Sequence, residues 1–147
     1  MPDSQKLRRI FVVDDEPVIA STLATILSNS GFNATSFVEP REALRASRVD
    51  CPDLLISDVV MPSLSGIELA TQVQEAWPNC KVILFSGQAL TKDFLESASK
   101  AGHHFEVLSK PVHPADLLRK IQILTEQAPQ PPSAQGTPSK NLFYRSA

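Results

Sequence analysis

The sequence predicts an α/β protein built on a parallel sheet with helices on both faces, and three observations carry that prediction. Five short apolar runs, rich in β-branched and aromatic residues, recur along the chain and end abruptly in polar residues. Between them lie stretches whose apolar residues recur at helical spacing. Proline and glycine punctuate the junctions, so the connections are short. Strands alternating with helices through short loops call for right-handed crossovers and a parallel sheet.

Taken in order, Ile10-Phe11-Val12-Val13 forms the first strand and closes on Asp14-Asp15-Glu16. Pro17 suits the first turn of a helix, where its missing N–H costs nothing. Ile19, Leu23, Ile26 and Leu27 then give that helix one apolar face up to Gly31. Phe32 to Phe37 reads as a weaker, partly alternating strand. Pro40 to Arg48 reads as a short helix with Ala43 and Leu44 inward and Arg41, Arg45 and Arg48 on a solvated face. After the Cys51-Pro52 break, Leu54-Leu55-Ile56 is a buried strand whose end carries Asp58. Met61-Pro62 turns the chain out of that strand, and Gly66 is expected to supply a backbone conformation that a Cβ would resist.

Ile67 to Trp77 is the third helix, with Leu69, Val73 and Trp77 on one face and Pro78 stopping it. Lys81 to Phe85 is the fourth strand and ends in Ser86-Gly87. Thr91 to Ala101 is a helix with Phe94, Leu95 and Ala98 inward, ended by Gly102. Phe105 to Leu108 is the fifth strand, closing on Ser109-Lys110-Pro111. Pro114 opens the last helix, in which Leu117, Leu118, Ile121 and Leu124 form the buried stripe. From about Glu126 the chain turns to EQAPQPPSAQGTPSK, too poor in core residues to order itself. The expected organisation is one domain over 6–126 and a disordered tail over 127–147, with Asn141 to Arg145 reading first as a frayed end and, as the alternative, as a segment that docks on a partner or back on the domain.

Composition narrows the function. The 147 residues hold one domain with a self-sufficient core. A net charge of -2 argues against a general electrostatic footprint for nucleic acid. Cys51 and Cys80 stand in no metal or redox spacing, which suits a reducing cytoplasm. The opening MPDSQKLRR is followed by too short an apolar run for a signal core or membrane span.

The strand ends hold the chemistry. In an open parallel sheet, ligands bind beyond the carboxyl ends of the strands. That rim collects Asp14, Asp15, Asp58, Ser86 and Lys110. Three carboxylates brought together repel and raise one another's pKa unless a cation sits among them. Hard oxygen donors select Mg²⁺, with Asp15 and Asp58 as direct ligands and Asp14 reaching the ion through water. A carboxylate can form a covalent phosphoryl intermediate, and phosphoryl transfer asks the protein to place a metal, an ammonium and a hydroxyl around the equatorial oxygens. Lys110 and Ser86 supply the last two for Asp58, and Gly87 leaves room for a phosphate donor. Singly, Asp58 is a helix cap, Ser86 a turn residue and Lys110 a solvated charge; the set makes them functional. His103-His104 lack further ligands and read as surface, and His113 simply precedes the last helix.

These marks resemble the receiver domain of two-component response regulators, over about Lys6 to Thr125. They are Asp14-Asp15, Asp58-Val59-Val60-Met61-Pro62 with Gly66, Ser86-Gly87 and Lys110-Pro111. The resemblance implies a flavodoxin-like sheet of order 2-1-3-4-5, phosphorylation of Asp58 by a histidine kinase or phosphotransfer protein, and Mg²⁺ held with help from the Val60 backbone carbonyl. It further implies a cis peptide before Pro111. The expected activity is that of a chemotaxis-type, stand-alone receiver. Such a protein catalyses only its own phosphorylation and dephosphorylation and signals through a protein partner at about 91–127, as a monomer or weak homodimer. Alternatives are a degenerate receiver acting as an adaptor, and a hydrolase with an aspartyl nucleophile, which commonly carries a second acid where Val60 stands. Two positions depart from the family pattern. Val107 replaces the usual aromatic three residues before Lys110, with Phe105 on the same strand face as a substitute. Val60 and Gln88 lack the acid or amide that helps orient a hydrolytic water, so loss of phosphate is expected to be slow to moderate.

Overall fold

The computed structural model describes residues 9–87, 91–103 and 105–126. Its elements are β1 (Arg9–Val13), α1 (Pro17–Asn29), β2 (Asn33–Phe37), α2 (Pro40–Val49), β3 (Leu54–Asp58), α3 (Gly66–Ala76), β4 (Lys81–Ser86), α4 (Thr91–Lys100), β5 (Glu106–Ser109) and α5 (Pro114–Glu126). All neighbouring strands are parallel, in the order β2-β1-β3-β4-β5. The doubly wound flavodoxin-like sheet is therefore as the resemblance implied. The tail over 127–147, Gln88 and His104 lie outside the described residues, as do the side chains of Phe94, Leu95 and Ala98.

The strands sort their side chains by the two-residue pleat. Ile10, Val12, Leu54, Ile56, Ile83 and Phe85 join Leu23 and Leu27 of α1 and Leu117, Ile121 and Leu124 of α5 on one face. Phe11, Val13, Leu55, Val82 and Leu84 join Ala43 and Leu44 of α2 and Leu69 and Val73 of α3 on the other. Every residue of β3 is buried because helices cover both of its faces, which is why its sequence is a continuous apolar run rather than an alternation. β2 lies at one edge and is half exposed, accounting for its weak apolar signal. The Trp77 indole N–H donates to the Ser47 carbonyl at 2.9 Å, pinning α3 to α2.

Three sequence expectations need correction. β5 begins at Glu106, which pairs with Ile83, so Phe105 precedes the strand. Phe105 and Val107 nevertheless pack against the same core. Gly66 does not have a positive φ; the described glycines that do are Gly31 and Gly102. Gly66 is required by close approach, since a Cβ there would run into the Asp58 carbonyl and the Ser57 hydroxyl. Arg41 is exposed as expected but is not merely solvated, because its guanidinium donates to the Ser63 carbonyl at 3.3 Å.

Candidate functional site

Register brings the site together. Val13 pairs with Ser57 and Asp58 with Phe85, so Asp14 and Asp58 leave neighbouring strands at the same rim. Ser86 pairs with Ser109, placing Lys110 one residue beyond on the next strand. The Lys110 N–H donates to the Ser86 carbonyl at 3.0 Å, and the peptide from Lys110 to Pro111 is cis.

Asp58 is buried and both carboxylate oxygens have partners. Oδ2 accepts from Lys110 Nζ at 2.8 Å, and Oδ1 accepts a long bond of 3.4 Å from the Val60 N–H. Asp14, only 1% exposed, accepts from the Glu16 N–H at 2.9 Å through Oδ1. Its Oδ2 is buried with no hydrogen-bond partner. Asp15 is exposed, yet one oxygen from each of Asp14, Asp15 and Asp58 lies within 4.8 Å of the others. A buried orphan oxygen in such a cluster has the donor chemistry of a hard divalent cation site.

Electrostatics follow from this packing. Burial, with smaller contributions from Asp58 and Asp15, raises the Asp14 carboxyl above its ordinary value, against the Glu16 N–H and Lys110, which pull it down. Burial works against the Lys110 ammonium, but the hydrogen bond and charge of Asp58, with Asp14 and Glu16, overcome it and raise Lys110 overall. Lys110 is thus held cationic beside an acidic cavity.

Ser86 is buried at the same rim, and Val60 is 65% exposed, its backbone lining the site while its side chain faces solvent. His103 forms no metal cluster with described residues. Gln74 Nε2 donates to the Cys80 carbonyl at 3.0 Å, which turns Gln74 Oε1 toward His103 Nδ1 at 3.3 Å, so that nitrogen carries the proton. The ring also stacks on Phe105, with centroids 6.1 Å apart. His113 is exposed, and its carbonyl accepts from the Asp116 and Leu117 N–H groups in the first turn of α5.

Sequence reasoning missed the capping box that opens α3. Ser65 accepts from the Glu68 N–H, and the Glu68 carboxylate accepts from the Ser65 N–H. The pattern Ser65-x-x-Glu68 was the available signal. It also missed the contacts of Glu39 and Arg41 with Ser63, which have no local signature.

The class defined by this sheet and rim is the flavodoxin-like α/β protein with an acidic site at the carboxyl edge of a parallel sheet. The sequence profile of the response regulator receiver domain matches residues 10–122. The chain belongs to the response regulator receiver domain family. It is 32% identical over 116 residues to the response regulator receiver protein CpdR of Brucella abortus (strain 2308), covering 79% of this chain and 95% of that one. It is 26% identical to the probable transcriptional regulatory protein TcrX of Mycobacterium tuberculosis (strain ATCC 25618 / H37Rv), covering 78% of this chain and 48% of that protein. Among solved structures, a receiver domain protein from Clostridium thermocellum superposes with a TM-score of 0.73 at 31% identity, covering 82% of this chain and 95% of the other. A CheY-like receiver domain protein from Methanospirillum hungatei JF-1 gives 0.74 at 28% identity, again covering 82% and 95%.

Proposed function

We propose that this receiver accepts a phosphoryl group on Asp58 from the phosphohistidine of a sensor kinase or phosphotransfer protein. It would then signal by phosphorylation-dependent binding of a protein partner over about 91–127. The 2.8 Å ion pair between Lys110 Nζ and Asp58 Oδ2, beside the orphaned Asp14 Oδ2, carries this reading. In the step itself, an Asp58 oxygen forms the new P–O bond as the P–N bond to the donor imidazole breaks and the pair of electrons leaves with the imidazole. Lys110 neutralises charge gathering on the phosphoryl oxygens, and Ser86 offers a hydroxyl at the same rim. Asp14, Asp15 and Asp58, with the Val60 carbonyl, would hold Mg²⁺. When bound, Mg²⁺ supplies the remaining charge neutralisation.

Receivers of this kind are not conventional enzymes, and self-directed phosphorylation and slow dephosphorylation are the catalysis expected here. The match to CpdR over 95% of that protein supports a receiver domain. We take it to span residues 6–126 and to act as a monomer or weak homodimer. Free Cys51 and Cys80 suit the cytoplasm. Among the described residues no helix is long and apolar enough to cross a membrane. Incubation with acetyl phosphate and Mg²⁺ followed by intact mass measurement tests the reading. A phosphoryl mass gain that disappears in Asp58→Asn supports it, and no gain with several donors overturns it in favour of a phosphorylation-independent adaptor.

A further inference from the structure

Glycines aside, Ser63 is alone among the described residues in having a positive φ, at 72°. It sits in the β3–α3 loop, three residues after Val60, and the residues that open α2 hold its hydroxyl and its carbonyl. Ser63 Oγ donates to Glu39 Oε1 at 3.2 Å, and the Ser63 carbonyl accepts from Arg41 Nη2 at 3.3 Å. The same Glu39 oxygen accepts from the Arg41 backbone N–H at 3.3 Å and caps α2. Beneath the loop, Met61 and Leu64 are buried in the core, and the Gly66 N–H donates to the Val59 carbonyl at 2.8 Å. The loop is thus pinned from below by apolar side chains and from above by Glu39 and Arg41. Val60 lies between these anchors and the strand, its N–H aimed at Asp58 Oδ1.

We propose that Glu39 and Arg41 are positioning residues for the Asp58 site. They act through the loop backbone, holding Ser63 in its left-handed conformation so that Val60 keeps its N–H on Asp58 Oδ1. That contact leaves Oδ2 to Lys110 and fixes the rotation of the carboxylate. At 3.4 Å the Val60 bond is long for an N–H donor, so a small loop displacement removes it. The inference rests on the reading of Asp58 as phosphoacceptor, but its structural half does not.

Arg41→Ala is the decisive variant, because it removes the guanidinium and keeps the backbone N–H that Glu39 caps. Amide hydrogen exchange in metal-free protein is expected to speed at Val60 and Ser63 with the sheet unchanged. Phosphorylation by acetyl phosphate at saturating Mg²⁺ is expected to slow by about threefold to tenfold, the size of one or two net hydrogen bonds. Glu39→Gln keeps an acceptor oxygen and is expected to behave as wild type. Unchanged exchange at Val60 in Arg41→Ala overturns the proposal, as does faster exchange with an unchanged rate. If Arg41→Ala loses protection throughout the sheet, Ser63→Ala, which removes only the surface bond to Glu39, decides by the same two readouts. Wild-type protein that takes up no phosphate would sink the acceptor reading, and the exchange at Val60 would still judge the loop contact.

Discussion

Lys110 Nζ lies 2.8 Å from Asp58 Oδ2, joining two residues 52 positions apart across the ends of β3 and β5. The intervening strand β4 sets that distance through its ladder to each neighbour. A charge-assisted bond of this length contributes more than a neutral one, about 1.5–3 kcal/mol.

Lys110→Ala is therefore expected to slow phosphorylation by acetyl phosphate by at least about tenfold, the rate equivalent of that interaction. Time courses of intact mass check this. A rate equal to wild type would show that the ammonium has no part in the transfer.

Asp14→Asn is expected to stabilise the metal-free protein at pH 7 by about 1 kcal/mol, since the charged carboxylate is buried with one oxygen unsatisfied. The sign follows from linkage. Asp14 is raised in the fold, so its ionised form is the costly one, and the cost fades as pH falls through the folded value toward 3.8. Urea denaturation at pH 7 and pH 4 should show the gain shrinking. Mg²⁺ should raise the wild-type midpoint more than that of Asp14→Asn; equal rises would take Asp14 out of the ion's surroundings.

Gly66→Ala is expected to cost at least about 2 kcal/mol and to disturb phosphorylation, because the added methyl meets the Asp58 carbonyl. Gly31→Ala meets no neighbour and bears only the left-handed penalty of about 1–2 kcal/mol. Thermal denaturation of both variants, with phosphorylation rates alongside, separates damage at the site from general loss of stability.

Cys80 is buried and its thiol is pushed up to about 12, chiefly by burial. It should resist iodoacetamide at pH 8 until the protein is unfolded. Above pH 9 the unfolded thiol loses its proton while the folded one keeps it, so stability falls with rising pH, by up to about 1.4 kcal/mol per unit. Urea titrations between pH 9 and 11 should give a shallower decline for Cys80→Ala, and parallel declines would contradict the assignment.

Phe105 is half-buried against the core and stacked on His103, itself fixed by Gln74. Phe105→Ala is expected to cost about 2 kcal/mol, below the range for a fully buried ring. Partner binding that depends on phosphate should weaken beyond that loss. Unchanged phosphorylation-dependent binding would mean that the signal travels without this ring.

Much of this arrangement was legible in the residues. β1, β3 and β4 announced themselves because a strand covered on both faces is apolar throughout, and the polar residues ending each run marked the rim. Strand order was not legible, since periodicity says which face a residue takes and nothing about which strand lies beside it. Phe105 looked like the start of β5 because aromatics favour strands, whereas the ladder begins only where Glu106 meets Ile83. Gly66 was noticed for the wrong reason: its need comes from the Asp58 carbonyl across the turn, a close approach no local rule foretells. Glu39, Arg41 and Ser63 were invisible as a group, because exposed polar pairs 22 and 24 residues apart leave no pattern in a window of sequence.

β5 stands at the far edge of the sheet, hydrogen-bonded within it to β4, and Lys110 follows directly on its last residue. A chain that stops short of β5 already holds Asp14, Asp15 and Asp58, but not the Lys110 ammonium that pairs with Asp58. On the proposed reading, phosphate is taken up at full rate only once the sheet has been completed to its final strand.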